Sequence, residues 1–209
     1  NNKINFTGMY PIFSNNQVKL ANLSGSTSDG WLSMAGFSSL CSDNMFEITS
    51  TTSGGAVMEV NNGTANGNFM YSTNSTTGIG IIVGSRCIAT GNLMYGFGTG
   101  IIMSSSYGNA TGNIIYGGGA GSIGVDVNSS YATITGNTLV GTVTTGGSAV
   151  DVNGDNCTIT GNTMYAWGTC VTFASGSDNN VLTGNNMSNA TTILSDSGTD
   201  NVVSGNVGV

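Results

Sequence analysis

Two aspartates occupy the same position in two similar segments of the sequence. Asp126 lies in SIGVDV, residues 122–127, and Asp151 lies in GSAVDV, residues 147–152. If these segments form neighbouring strands of one sheet, the two carboxylates lie about 5 Å apart on its outer face. Such a pair can raise the pKa of one carboxyl group and serve as acid and base in glycoside cleavage. We therefore predict Asp126 and Asp151 as candidate catalytic residues.

Other features of the sequence favour a protein without catalytic activity. A solvated aspartate on an exposed strand is common, and the sequence contains no His, which excludes a Ser-His-Asp triad. Arg86 does not align with the two aspartates. We predict a binding or structural role first and keep a polysaccharide hydrolase or lyase as the alternative.

Aromatic residues recur at a second fixed position, three residues after a recurring asparagine. These residues are Tyr71, Tyr95, Tyr116 and Tyr165. Phe97 and Trp167 follow two of them by two residues, and we expect them to extend the same surface. Aromatic side chains in one row bury a large area, and tyrosine adds a polar tip. The row predicts a glycan-binding surface or a subunit contact, with packing beneath a loop as the third alternative.

The asparagines themselves recur every 21 to 25 residues, each preceded by Gly. They are Asn68, Asn92, Asn113, Asn137, Asn162, Asn185 and Asn206. A repeat of this length indicates a solenoid, a propeller or an array. Glycine suits a tight bend with positive φ, and the asparagine amide can donate to and accept from the next repeat. We predict a ladder of stacked asparagines along the chain.

Each repeat contains short segments of alternating polar and apolar residues between Gly, Asn and Ser turns, which predicts an all-β chain. One strand column is predicted to face outward on successive coils. Its residues are Ile82, Ile102, Asp126, Asp151, Thr172 and Leu194. The pattern is regular over residues 60–209 and looser over residues 1–59, and we interpret residues 1–209 as one domain.

With this repeat the chain resembles the right-handed parallel β-helix superfamily, the fold of pectin lyases and of many phage tailspikes. The resemblance implies a right-handed β-solenoid, and the spacing of the asparagines predicts 21 to 25 residues per coil. Low charge, a surface rich in Gly, Ser, Thr and Asn, and uncapped ends favour an extracellular or virion-surface location. Tailspike-like relatives imply a homotrimer, whereas the uncapped ends of the sequence fit head-to-tail stacking into a filament equally well. Polysaccharide-cleaving members often carry acidic residues on a strand face like that of Asp126 and Asp151.

Charge and composition exclude several other classes. The net charge is −7 with three cationic residues, so no basic patch is present for nucleic acid. No apolar run is long enough to span a membrane. We predict no cofactor and no metal site, because His is absent and the four cysteines lack CxxC spacing. We interpret the cysteines as core thiols, with a disulfide left open.

The sequence therefore predicts a structural or glycan-binding β-helix, similar to a tailspike or fibre, whose partners are itself and a surface polysaccharide. The alternatives are a polysaccharide-degrading enzyme, a self-assembling extracellular filament and an ice-binding protein. The last rests on a column of outward hydroxyls two residues before the asparagines. Its members are Thr90, Thr111, Thr135, Thr160, Thr183 and Ser204.

Overall fold

A computed structural model describes residues 4–20, 30–36, 38–49, 55–73, 78–142 and 146–208. All regular structure among these residues is β-strand, and the strands form three parallel sheets. The all-β prediction is confirmed, as is the parallel β-solenoid. No helix in the described part of the chain is long and apolar enough to cross a membrane.

Each coil contributes one strand to each sheet, so successive strands of one sheet are three elements apart in the chain. The first sheet contains nine strands: β1 (Ile4–Phe6), β4 (Gly30–Met34), β7 (Ala56–Val60), β10 (Ile79–Val83), β13 (Thr99–Met103), β16 (Ile123–Val127), β19 (Ser148–Val152), β22 (Thr169–Phe173) and β25 (Thr192–Asp196).

The second sheet also contains nine strands: β2 (Ile12–Ser14), β5 (Ser39–Ser42), β8 (Gly63–Asn66), β11 (Ile88–Thr90), β14 (Asn109–Thr111), β17 (Thr133–Thr135), β20 (Thr158–Thr160), β23 (Val181–Thr183) and β26 (Val202–Ser204). The third sheet contains eight: β3 (Gln17–Leu20), β6 (Met45–Ile48), β9 (Phe69–Ser72), β12 (Leu93–Phe97), β15 (Ile114–Gly117), β18 (Thr138–Val140), β21 (Thr163–Tyr165) and β24 (Asn186–Ser188).

The predicted asparagine ladder is confirmed at the bend between the second and third sheets. The amide of Asn92 donates to Oδ1 of Asn113 at 2.9 Å, and that of Asn113 donates to Oδ1 of Asn137 at 2.9 Å. Asn113 is fully buried. The glycine before each asparagine of the predicted set has positive φ, from 61° at Gly91 to 65° at Gly161. The ladder thus satisfies the polar backbone of the bend inside the protein.

The ladder continues into the first two coils, where the sequence pattern is loose. Asn16 donates to Oδ1 of Asn44, and Asn44 donates to Oδ1 of Asn68. The positive-φ position before them holds Asn15 at 57° and Asp43 at 56° instead of glycine. Asn and Asp tolerate this conformation, so the register of these coils follows the same rule with different residues.

A single apolar core fills the space between the sheets and runs along the stack. Its largest fully buried side chains include Trp167, Phe46, Phe97, Phe173 and Leu32. In the regular coils, methionines and branched residues from the third sheet face small residues of the first. A Cβ on Gly100, for example, would lie 2.7 Å from Cγ2 of Ile115. The close packing fixes which face of each strand is exposed.

Candidate functional site

The two aspartates are brought together as predicted. Asp126 on β16 pairs directly with Asp151 on β19, in a parallel register that places them on the outer face of the first sheet. Both side chains are half-buried. Neighbouring strands of a sheet are about 4.8 Å apart, so the two carboxyl groups lie within reach of one ligand.

Burial changes the acidity of both carboxyl groups. Desolvation raises the pKa of Asp126 above its ordinary value of 3.8; a hydrogen bond with the Asn128 side chain lowers it, and the charge of Asp151 raises it. Desolvation also raises the pKa of Asp151. The result is a pair of carboxyl groups that hold protons more tightly than solvated aspartates do.

An asparagine pair extends this arrangement on the same face. Asn128 and Asn153 each follow an aspartate by two residues, and the Asn153 amide donates to Oδ1 of Asn128 at 3.2 Å. Both asparagines are exposed. Together, the two coils present two carboxyl groups and two amides, which can donate to and accept from the hydroxyls of a ligand.

Apolar side chains border the aspartates on the preceding coils. Asp126 pairs with Ile102 of β13, and Ile102 pairs with Ile82 of β10. Ile82 and Ile79 are 5% exposed and form a small buried cluster with Ala56 outside the main core. This apolar neighbour explains why Asp126 is desolvated although it lies on an outer face.

One position in the predicted outward column was wrong. Thr172 on β22 pairs with Ser195, whereas Leu194 pairs with Val171, which is buried. The outward residue of β25 is therefore Ser195. The turn after the ladder has the same length in both coils, since Val171 follows Asn162 by nine residues and Leu194 follows Asn185 by nine. The predicted alignment of β25 was therefore out of register by one residue, which assigns each side chain to the opposite face.

The predicted tyrosine row forms a stack of three rings on the third sheet. The ring centroids of Tyr71 and Tyr95 are 5.5 Å apart, and those of Tyr95 and Tyr116 are 5.7 Å apart. Tyr95 is 46% exposed. Tyr165 lies on the same column but is separated from Tyr116 by Val140. The stack thus contains three of the four predicted tyrosines.

A second column lies beside the tyrosine stack and is also apolar. It comprises Met45, Phe69, Leu93 and Ile114, which pair in series across β6, β9, β12 and β15. Each lies two residues before the outward residue of its strand, so both columns share one face of the sheet. Met45 and Ile114 are exposed, and Phe69 and Leu93 are half-buried. We call these four residues together with Tyr71, Tyr95 and Tyr116 the aromatic face.

The prediction that Phe97 and Trp167 extend this surface was wrong, because both side chains are 1% exposed and belong to the core. The pairing of β12 with β15 shifts between Tyr95 and Phe97, where Gly96 has φ of 81°, and this bulge turns Phe97 inward. Trp167 follows Ala166, whose φ is 60°. Its indole N–H donates to the carbonyl oxygen of Leu139 at 3.0 Å inside the protein.

Two further tyrosines were missed by the sequence interpretation. Tyr107 and Tyr131 lie in the turns between the first and second sheets, with ring centroids 5.1 Å apart and an interplanar angle of 10°. They are 56% and 50% exposed. Tyr107 precedes Asn113 by six residues, and Tyr131 precedes Asn137 by six. Alignment of the repeats on the ladder asparagines therefore places the two tyrosines at the same position and could have predicted that they are neighbours.

The hydroxyl column of the second sheet is in register, since Thr111 pairs with Thr135 and Thr135 pairs with Thr160. The neighbouring outward column is mixed. It contains Ile88, Asn109, Thr133, Thr158, Val181 and Val202. Ice binding stays a prediction that this interrupted array does not strengthen.

All four cysteines, Cys41, Cys87, Cys157 and Cys170, are buried free thiols. Burial raises the pKa of the Cys41 thiol to about 12 and that of Cys170 to about 11. Within the described ranges, no three His, Cys, Asp or Glu side chains are grouped so that they could hold a metal ion. The thiols therefore belong to the core, as their interpretation from the sequence proposed.

No protein-family model matches this chain, and no curated protein matches it. Among solved structures, the chain is similar to the crystal structure of an alginate lyase from Paenibacillus sp. str. FPU-7, with a TM-score of 0.42 and 15% sequence identity. The similarity covers 98% of this chain and 92% of that one. At this level the likeness carries no argument about activity, and the β-helix assignment rests on the topology of the three sheets.

Proposed function

We propose that this protein binds a polysaccharide on the outer surface of its β-helix, at the cell exterior or on a virion. The aromatic face carries the proposal, because it presents seven aromatic and apolar side chains on one sheet. An exposed apolar surface of this kind marks an interaction site. Tyrosine combines an apolar ring with a hydroxyl, which suits the C–H faces and the hydroxyls of a sugar.

The charge of the protein favours an uncharged polysaccharide. The net charge is −7. In the part of the chain that the structure describes, Lys19 donates to Glu47 at 2.9 Å, which leaves Arg86 as the one cationic side chain without a carboxylate partner. Because like charges repel and few cations compensate, a polyanionic chain is disfavoured at this surface.

Binding of soluble neutral polysaccharides, compared with a polyuronate, tests the proposal. Tyr95→Ala removes the middle ring of the stack, and we expect it to weaken binding about tenfold or more, since a central aromatic anchor contributes more than about 1 kcal/mol. Thr158→Ala on the second sheet is the matched control and should bind like the parent. A parent protein that retains no polysaccharide, or a Tyr95→Ala variant that binds equally well, would contradict the proposal.

A second candidate function is cleavage of the bound polysaccharide at Asp126 and Asp151. The observation that favours it is the in-register pair of half-buried carboxyl groups. Burial raises the pKa of both carboxyl groups, so one of the two can hold the proton and act as the acid. The other carboxylate then acts as base or nucleophile. The spacing of the two paired strands, about 4.8 Å, is close to the carboxyl separation of enzymes that retain the anomeric configuration.

Release of reducing ends from each polysaccharide that the parent binds tests this candidate. Asp126→Asn and Asp151→Asn should each lower the rate by about a hundredfold or more, because each removes one partner of the acid and base pair. Asp200→Asn, at an exposed turn in the last coil, is the control and should leave the rate unchanged. Equal rates in the parent and both site variants would exclude the pair as the catalytic groups.

The aromatic face also fits contact between subunits, since interfaces are enriched in Tyr, Phe and Met. The homotrimer, the head-to-tail filament and the tailspike-like role therefore stay predictions. They are compatible with polysaccharide binding, because a spike or a fibre can carry a lateral sugar-binding surface.

A further inference from the structure

The turn between the first and second sheets has one position with the same backbone conformation in every coil. At this position φ lies between 54° and 66°. The residues are Tyr10, Ser38, Asn62, Arg86, Tyr107, Tyr131, Asn156, Asn179 and Asp200. Five of the nine are Asn, Asp or Ser, short polar residues that suit a turn, and Asn and Asp tolerate this left-handed region.

Bulky residues occupy that position four times, at Tyr10, Arg86, Tyr107 and Tyr131. Tyr107 and Tyr131 differ from the others because they lie on adjacent coils and their rings stack. A bulky residue with φ of 66° or 62° is conformationally unfavourable, and such residues concentrate at binding sites. Their backbone N–H groups donate to the carbonyl oxygens of Ser130 and Asp155, a bond that any residue could make. The turn itself therefore does not require an aromatic ring.

The turns that carry the two rings directly follow β13 and β16, and β16 carries Asp126. Tyr131 follows Asp126 by five residues in the same coil, with Asn128 between them. Tyr107 follows Ile102 by five residues in the coil before. The three successive coils that contain β13, β16 and β19 thus carry two half-buried carboxyl groups, two exposed amides and two exposed rings close together in the chain.

We propose that Tyr107 and Tyr131, together with Asn128 and Asn153, form a second polysaccharide-binding site that crosses this turn. The inference rests on the polysaccharide binding proposed above, but it concerns a different surface from the aromatic face. The outer ring face of the stacked pair packs against the apolar face of a neutral sugar. The two amides bond to its hydroxyls, which places the next sugar of the chain over Asp126 and Asp151.

The double variant Tyr107→Asn/Tyr131→Asn tests the site without disturbing the turn, because asparagine already occupies this position at Asn156 and Asn179. The matched control is Tyr10→Asn, which makes the same change at the same turn position in the first coil. The probes are a soluble β-glucan, a mannan and a galactan, with dissociation constants measured by calorimetry. Thermal unfolding of each variant reports whether the fold is retained.

We expect the double variant to unfold near the temperature of the parent and to bind about tenfold more weakly, with Tyr10→Asn unchanged. Equal affinity of the double variant and the parent would overturn this site while leaving polysaccharide binding in place. Equal losses in the double variant and in Tyr10→Asn would also overturn it. A parent that binds none of the three probes would overturn both this inference and the proposed function.

Discussion

Removal of one rung from the asparagine ladder should destabilise the whole solenoid. In Asn113→Ala the lost side chain is fully buried and takes part in four hydrogen bonds. Its amide donates to the carbonyl oxygen of Ala89 and to Oδ1 of Asn137, both at 2.9 Å. Its Oδ1 accepts from the backbone N–H of Asn92 at 3.0 Å and from the Asn92 amide at 2.9 Å.

The expected loss follows from the groups left behind. Alanine leaves two donors of Asn92 without their acceptor in the interior, and each unsatisfied buried donor costs about 1 to 3 kcal/mol. We therefore expect Asn113→Ala to lower the free energy of unfolding by about 2 to 6 kcal/mol. This is a large fraction of the roughly 5 to 15 kcal/mol that stabilises a typical domain.

Urea denaturation followed by circular dichroism measures this loss. Thr135→Ala, on an outer strand face nearby, is the control and should change the free energy by less than about 1 kcal/mol. Asn206→Ala should have a smaller effect than Asn113→Ala, because Asn206 is only half-buried. If Asn113→Ala stays within about 1 kcal/mol of the parent with an unchanged m value, the ladder does not stabilise the solenoid in the way expected.

Two other predictions concern titratable groups. Burial raises the pKa of Asp126 above 3.8 in the folded chain, so ionisation of this carboxyl group opposes folding. The stability that the protonated carboxyl group contributes is fully present below pH 3.8 and is lost as the pH rises through the raised pKa. Asp126→Asn should therefore have the higher melting temperature at neutral pH, with the difference vanishing below about pH 3.8; a lower melting temperature at neutral pH would contradict the reasoning. Cys41 and Cys170, with thiol pKa values of about 12 and about 11, should resist alkylation in the native chain and react in denaturant, as mass spectrometry can measure. Rapid labelling of the folded protein would show that these thiols are accessible.

The repeat could be predicted from the sequence because the turn that creates it has a strict chemical requirement. A buried bend with positive φ followed by a polar rung favours Gly followed by Asn, and this pair can be found by inspection. The rungs at Asn16 and Asn44 were missed because Asn15 and Asp43 meet the same backbone requirement without glycine. The rule is thus a rule about conformation, and glycine is its commonest but not its sole solution.

Pairing of Asp126 with Asp151 was also predictable, since each precedes the next ladder asparagine, Asn137 or Asn162, by 11 residues and so occupies the same position in its coil. Their partial burial was not. It depends on Ile102 and Ile82 in the two coils before, and the contact exists only after the coils stack. The pKa values of the two aspartates are therefore raised only once the strands have assembled into the sheet.

The sequence alone determined the coil length, the ladder and most of the strand registers, because alternation and turn chemistry are local and recur with the repeat. Tertiary structure decided which aromatic residues are exposed. A bulge at Gly96 turned Phe97 into the core, and positive φ at Tyr107 and Tyr131 directed two rings to the surface. Coils of unequal length stay in register because the extra residues lie in turns and bulges. Each extra residue shifts the inward and outward alternation of the strand that follows, and a sequence pattern does not show where this happens.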